Sequence, residues 1–318
     1  CICPYSPWAK LWDNRQSATV AAIHSDMTVY LAFLDAEYPL LILTITACFG
    51  LLIGSFLNVV VYRLPLMLDR EWQRQARLEL GSEEPDEEAP TFNLVLPNSH
   101  CPDCKHEIAP WENIPLISYL FLRGKCSGCG AAIPLRYPML EGATAIITCV
   151  VVSHFGLTLT SLFCLLLTWA LLAIAVIDYD RMIIPDDIVF PFLWLGLIVN
   201  NFGIITTLDN ALWGAVFGYL SLWCVYWVFK LLTGKEGMGY GDFKLLAMLG
   251  AWMGWQALPV IVILSSFGGA LVGGVLIFLG RDRYNPISFG PYLALAGWIA
   301  LLWGDVITDL YLKFAYMG

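Results

Sequence analysis

The run LTLTSLFCLLLTWALLAIAVIDYD (residues 157–180) decides the fold. It carries no charge before Asp178, and it is long enough to cross the roughly 30 Å core of a bilayer as a helix of about 20 residues. A carboxylate at the edge of such a span is costly to place, so it is read as functional until a partner explains it. A second apolar run opens on Gly239-Tyr-Gly-Asp242, which puts Asp242 in the same position at the start of its span. Two carboxylates at span ends point to acid–base chemistry at a membrane face.

Outward from these two runs, the pattern predicts eight spans, at 39–62, 139–155, 157–178, 187–204, 209–230, 241–255, 257–279 and 287–304. The sixth is short and Gly-rich. Hydrophobic residues make up 58% of the 318, charged residues 14%, and the mean hydropathy is +0.69, which excludes a single water-soluble domain. The fold class expected is an all-α polytopic membrane protein. Fourteen of the seventeen Lys and Arg residues lie in segments 63–138, 178–187, 230–244 and 280–286, the alternate connections of an eight-span layout. Basic residues collect in cytoplasmic loops, so both termini are expected outside and both aspartates inside.

The expected division is an N-terminal segment 1–38, a first span 39–62, a cytoplasmic insert 63–138, a seven-helix core 139–304 and a tail 305–318. Residues 1–26 lack an initiating Met, a helical period and the basic lead-in of a signal peptide. Met27 is therefore the expected start and 1–26 an expected spurious extension; a lipidated Cys1 is the alternative. Much of the net charge of −9 comes from Ser82-Glu-Glu-Pro-Asp-Glu-Glu-Ala-Pro90, a solvated linker in this reading. The chain shows no nucleic-acid surface, its partner by composition is membrane lipid, and the pattern is silent on oligomeric state.

Within the insert, Leu66 to Leu80 places Leu68, Trp72 and Gln75 at helical spacing among alternating charges, the pattern of a surface helix lying on the headgroups. Next come Cys101-Pro-Asp-Cys104 and Cys126-Ser-Gly-Cys129, 21 residues apart. Paired tight turns at this interval each aim two thiolates at one ion, so Cys101, Cys104, Cys126 and Cys129 are the candidate ligands of a structural zinc. Redox use of one Cys-x-x-Cys is the alternative, without a thioredoxin-like pattern around it. The other six cysteines read as small apolar fillers.

A lone intramembrane Asp is as often a proton relay, an ion site or part of a structural pair as a catalyst. Here Gly237, Gly239 and Gly241 precede Asp242, and glycines that adopt positive φ allow close approach of an extended peptide. Two nearby carboxylates in a low dielectric share one proton. One then activates a water while the other polarises the peptide carbonyl.

These residues resemble the type IV prepilin peptidases, also called prepilin leader peptidase/N-methyltransferases, over essentially everything after Met27. The resemblance is carried by Gly54-Ser-Phe-Leu-Asn-Val-Val-Val-Tyr-Arg-Leu-Pro65, Phe92-Asn-Leu-Val-Leu-Pro-Asn-Ser99, Glu112-Asn-Ile-Pro115 and Arg136-Tyr-Pro138. It extends through Gly237-Met-Gly-Tyr-Gly-Asp-Phe-Lys-Leu-Leu246 and Phe289-Gly-Pro-Tyr-Leu-Ala294. It implies that Asp178 and Asp242 are the catalytic pair, with Asp180, Asp186, Gly239, Gly241 and Lys244 in support. It also implies cleavage of a basic leader after Gly in prepilins and type II secretion pseudopilins, at the cytoplasmic side of the bacterial inner membrane. Methylation of the new N-terminus from S-adenosylmethionine, with Gly124 involved, is implied by the resemblance alone. Asp180, Asp186 and Asp187 are expected to attract the basic leader. A carrier whose aspartates conduct protons or cations is the rival from another class, although the acidic sites sit at one face and no internal repeat is evident.

Overall fold

The computed structural model describes residues 37–81, 92–280 and 287–316. The expectations for residues 1–26, the 82–90 linker, Arg281 and Arg283 lie outside the described residues. Within them, helices stand at all eight expected places, and no strands longer than isolated bridges occur. The helices are α1 (Pro39–Glu79), the short α2 (Ile117–Phe121) inside the insert, α3 (Arg136–Phe155), α4 (Leu159–Arg181), α5 (Asp186–Asn201), α6 (Leu208–Thr233), α7 (Tyr240–Met253), α8 (Leu258–Phe278) and α9 (Gly290–Tyr316).

Six of these are long and apolar enough to cross a membrane: α1, α3, α4, α6, α8 with the turn before it, and α9. At 1.5 Å per residue, α5 and α7 rise only about 24 and 21 Å, less than the hydrocarbon thickness. For α7 the reason is its surroundings. Phe243, Leu245, Leu246, Met248, Leu249 and Trp252 cover its whole circumference and are all fully buried, so the helix is enclosed by protein.

Helix α1 differs from expectation. The first span and the expected headgroup helix are one 41-residue element that passes through Pro65. A proline removes one backbone donor, while residues 66–79 are rich in helix formers and tied by the Arg74–Glu71 ion pair (3.4 Å) and the Gln75–Glu71 hydrogen bond (3.0 Å). Likewise, residues 305–316 continue α9 rather than forming a separate tail.

Close helix approach rests on small residues. A Cβ on Gly50 or Gly54 would lie 2.7 Å from the Cα of Ala145 or Glu141, which seats α1 on α3. Gly214 of α6 and Gly250 of α7 meet backbone to backbone. Two cores result. One gathers α4, α5, α6, α7, α8 and α9, and the other gathers α1, α3 and α4 with the far end of α9.

Candidate active site and metal centre

Asp178 lies in the last turn of α4, where the left-handed Met182 ends the helix by donating its N–H to the Asp178 carbonyl (2.8 Å). Asp242 lies in the first turn of α7, capped by Gly239. The two side chains are 5% and 6% exposed for their residues, and both line one cavity of about 300 Å³. The remaining lining comes from Met182, Ile184, Glu236 to Gly239, Gly241 and Ile287 to Phe289. The two carboxylates lie within electrostatic range of one another.

One oxygen of Asp178, Oδ2, accepts a hydrogen bond from the Ser288 hydroxyl and another from the Gly290 N–H at 2.9 Å. Gly290 opens α9, and a Cβ there would run into the same carboxylate oxygen. Neither Ser288 nor Gly290 was singled out as a site residue from the sequence. The signal was Phe289-Gly-Pro, 110 residues from Asp178 and without a local pattern of its own.

The glycines before Asp242 serve a different purpose from the one expected. None of Gly237, Gly239 and Gly241 has positive φ. Instead, a Cβ on Gly241 would lie 2.8 Å from Ile184 Cβ, and one on Gly237 would lie 2.8 Å from the Phe229 ring. They let the chain pack tightly beside the cavity, while Gly239 has open space on the cavity side and Asp242 Oδ2 at 3.8 Å.

Asp180 and Asp186 are engaged in ion pairs. Asp180 pairs with Arg136, joining the end of α4 to the start of α3. Asp186 holds Lys244 Nζ at 2.8 and 2.9 Å, joining the starts of α5 and α7. Neither lines the cavity. Glu236 does, and it accepts a hydrogen bond from Lys230 Nζ at 2.8 Å. That ion pair holds its carboxyl below the usual carboxylate range.

Behind Asp242, α7 is fixed at its far end by Asn200. Its amide donates to the Ala251 and Trp252 carbonyls (2.9 and 2.8 Å) and accepts from the Ile205 and Thr206 N–H groups (3.3 and 2.9 Å). Trp252 adds a bond from Nε1 to the Phe192 carbonyl at 2.8 Å.

In the insert, two hairpin turns face each other. In the first, Cys101 N–H bonds the His106 carbonyl (2.9 Å) and Lys105 has φ of 62°; in the second, Cys126 N–H bonds the Ala131 carbonyl (2.8 Å) and Gly130 has φ of 76°. The four thiols of Cys101, Cys104, Cys126 and Cys129 lie within 4.8 Å of one another, and the cross pairs 101–129 and 104–126 are both 3.9 Å apart. A tetrahedral ion with Zn–S bonds of about 2.3 Å needs sulfur–sulfur edges of about 3.8 Å, so the donor set fits.

Glu112 ties the first hairpin to the segment after it. Its carboxylate accepts from Ala109 N–H (2.9 Å) and contacts His106 Nε2 (3.1 Å). Hydrogen bonding with Ser127 foremost, then Ala109, holds its carboxyl below the usual range. Gly124 has φ of 69° beneath the Tyr119 ring, where a Cβ would lie 2.8 Å from the phenol oxygen.

Two family models match the chain. The Bacterial Peptidase A24 N-terminal domain covers residues 48–155, and the Type IV leader peptidase family covers residues 165–274. The chain is 61% identical over 281 residues to the prepilin leader peptidase/N-methyltransferase of Pseudomonas aeruginosa, covering 88% of this chain and 97% of that one. The chain belongs to the prepilin leader peptidase/N-methyltransferase family.

Other members of the family agree over similar lengths. Those of Stutzerimonas stutzeri and Aeromonas hydrophila are 58% and 52% identical, covering 88% and 86% of this chain and 97% and 95% of theirs. No solved structure matches the chain. The two family models divide between α3 and α4, and α4 belongs to both cores. The N-terminal model takes in most of α1, the insert and α3, and the leader peptidase model runs from α4 into α8 and holds both Asp178 and Asp242.

Proposed function

We propose that the chain is an aspartic endopeptidase of the bacterial inner membrane. In this reading it removes the leader of type IV prepilins and type II secretion pseudopilins after Gly, then methylates the new N-terminal amine from S-adenosylmethionine. The observation that carries the peptidase half is the convergence of Asp178 and Asp242, from two helix ends, on one cavity. The distribution of Lys and Arg supports a cytoplasmic opening for that cavity.

In this mechanism the pair holds one proton. The ionised carboxylate takes a proton from water as the water oxygen bonds the carbonyl carbon, and the protonated partner gives its proton to the carbonyl oxygen. Collapse of the tetrahedral diol breaks the C–N bond: the departing amine takes its proton from the carboxyl that received the water proton, and a diol hydroxyl returns a proton to the other carboxylate, which restores the singly protonated pair. Ser288 and Gly290 hold Asp178 Oδ2, which leaves its other oxygen for water or its partner. Gly239, Gly241 and Lys244 act in support, the glycines by keeping the cavity wall thin and Lys244 by fixing the start of α7 to Asp186. Asp180 acts on the start of α3 through Arg136. Methyl transfer rests on the N-methyltransferase activity named for the relatives; S-adenosylmethionine is the donor in this reading, and Gly124 is the residue assigned to it. Zinc on the four cysteines supplies no chemistry; it crosslinks the two hairpins.

The test is cleavage of a prepilin-type substrate in liposomes by the parent, Asp178→Asn and Asp242→Asn, with the product N-terminus read by mass spectrometry. Asn keeps the size and removes the titratable proton. Both variants are expected to lose cleavage while retaining a parental helical spectrum, and a normal rate in either removes that residue from the pair. An added methyl that requires S-adenosylmethionine is expected on the parent's product.

A further inference from the structure

The insert presents an apolar edge that the reaction does not use. Leu120 and Phe121, at the end of α2, are 74% and 84% exposed, and the Pro110–Asn113 turn packed on α2 adds exposed Trp111. Exposed groups of this size on a segment outside the spans mark a contact surface.

The depth of this edge is set by a buried tie. Glu141 Oε2 accepts the Leu116 N–H at 2.8 Å, immediately before α2 begins. Helix α3 has 20 residues and rises about 30 Å, which only matches the hydrocarbon thickness. Glu141 is five residues in from Arg136, so it anchors Leu116 about 7 Å below the end of that helix. A segment tethered at that depth cannot stand clear in water. Leu135 and Met139 are likewise exposed where α3 begins. Arg123 and Lys125, directly after α2, are exposed and enter none of the ion pairs among the described residues.

We infer that α2 is an interfacial anchor: Leu120 and Phe121 sit among the acyl chains of the leaflet on the insert's side, and Arg123 and Lys125 meet the anionic headgroups above them. The partner is the lipid surface itself. An amphipathic edge of this kind adds to the Leu116–Glu141 bond, and to the bonds from Arg63 of α1 to the Asn93 and Pro97 carbonyls (3.0 and 2.6 Å), in fixing the height of the four-cysteine unit against the bundle.

The test places the photocrosslinking residue p-benzoylphenylalanine at Leu120, at Phe121 and, as a water-facing control, at Gln75 near the end of α1. The full-length chain is reconstituted in mixed phosphatidylglycerol and phosphatidylethanolamine vesicles. Phospholipid adducts are expected at 120 and 121 and not at 75. Phosphatidylglycerol is expected to be enriched over its share of the bilayer at least twofold, and Arg123→Gln with Lys125→Gln is expected to abolish that enrichment. Adducts at 120 and 121 with a second copy of the chain or with an added prepilin substrate, or no adducts in a chain that retains its helical spectrum, would overturn the anchor. Adducts in bulk lipid proportion would overturn the role of the two basic residues. None of these readouts depends on cleavage or methylation.

Discussion

Asn200→Ala removes the fixture behind Asp242. The side chain makes four hydrogen bonds of 2.8 to 3.3 Å in a site 1% exposed. Alanine takes the side-chain partner from two carbonyls at the end of α7 and from two N–H groups of the α5–α6 turn. At about 1 kcal/mol net for each bond, the loss is about 4 kcal/mol. For a chain of this size, at roughly 2 to 4 °C per kcal/mol, the midpoint falls by roughly 8 to 16 °C. The assay is thermal unfolding in detergent micelles, followed by intrinsic fluorescence on protein that has first been shown to be folded at low temperature. A second readout separates stability from placement, namely single-turnover cleavage well below the variant's midpoint. A drop of less than about 2 °C would refute the reasoning, because it would mean that water or neighbouring groups satisfy those four partners.

Other outcomes follow from the same geometry. Gly290→Ala pushes a methyl into the Asp178 carboxylate and is expected to slow cleavage roughly ten- to a hundredfold, by analogy with an overpacking strain of about 1–3 kcal/mol; Gly268→Ala, where a Cβ finds ordinary contact at 3.7 Å, is the neutral control. Glu236→Lys places a cation at the cavity wall and is expected to raise KM for a basic-leader substrate roughly two- to fivefold, the scale of an exposed charge pair, with kcat little changed; steady-state kinetics with basic and neutral leaders checks it. One zinc per chain is expected by atomic absorption, falling in Cys104→Ser, and removal by a chelator is expected to abolish methyl transfer before cleavage. Gly124→Ala is expected to impair methyl transfer through its contact with Tyr119, and Tyr119→Ala in the same chain is expected to restore part of it, read by mass of the product N-terminus.

What was legible in the sequence was whatever is local. Apolar runs, the two Cys-x-x-Cys turns and the carboxylates at span ends each occupy a few consecutive residues, and the structure places them where the pattern puts them. What was hidden is long-range or depends on context. The bonds from Ser288 and Gly290 to Asp178 join points more than a hundred residues apart, and no periodicity marks them. The apolar pattern ends the first span at residue 62, yet the helix formers after Pro65 carry α1 on to Glu79. The brevity of α7 is a property of its surroundings, since an enclosed helix need not match the bilayer. The three glycines before Asp242 show the limit of composition: it signals freedom at φ, whereas here the absence of a Cβ is what is used.

The backbone contact between Gly214 and Gly250 has a pharmacological consequence. With no side chain between them, α6 and α7 are braced backbone to backbone, and α4 belongs to both cores, the one they share and the one with α1 and α3. Asp242 therefore rides on the braced α6–α7 pair and Asp178 on a helix common to both cores, so a compound lodged in the cavity they line would disarm the enzyme by prying the pair apart, without imitating a peptide. Escape from such a compound would arise at wall residues such as Ile184 or Met238, where a change of shape leaves the chemistry intact, rather than at the carboxylates.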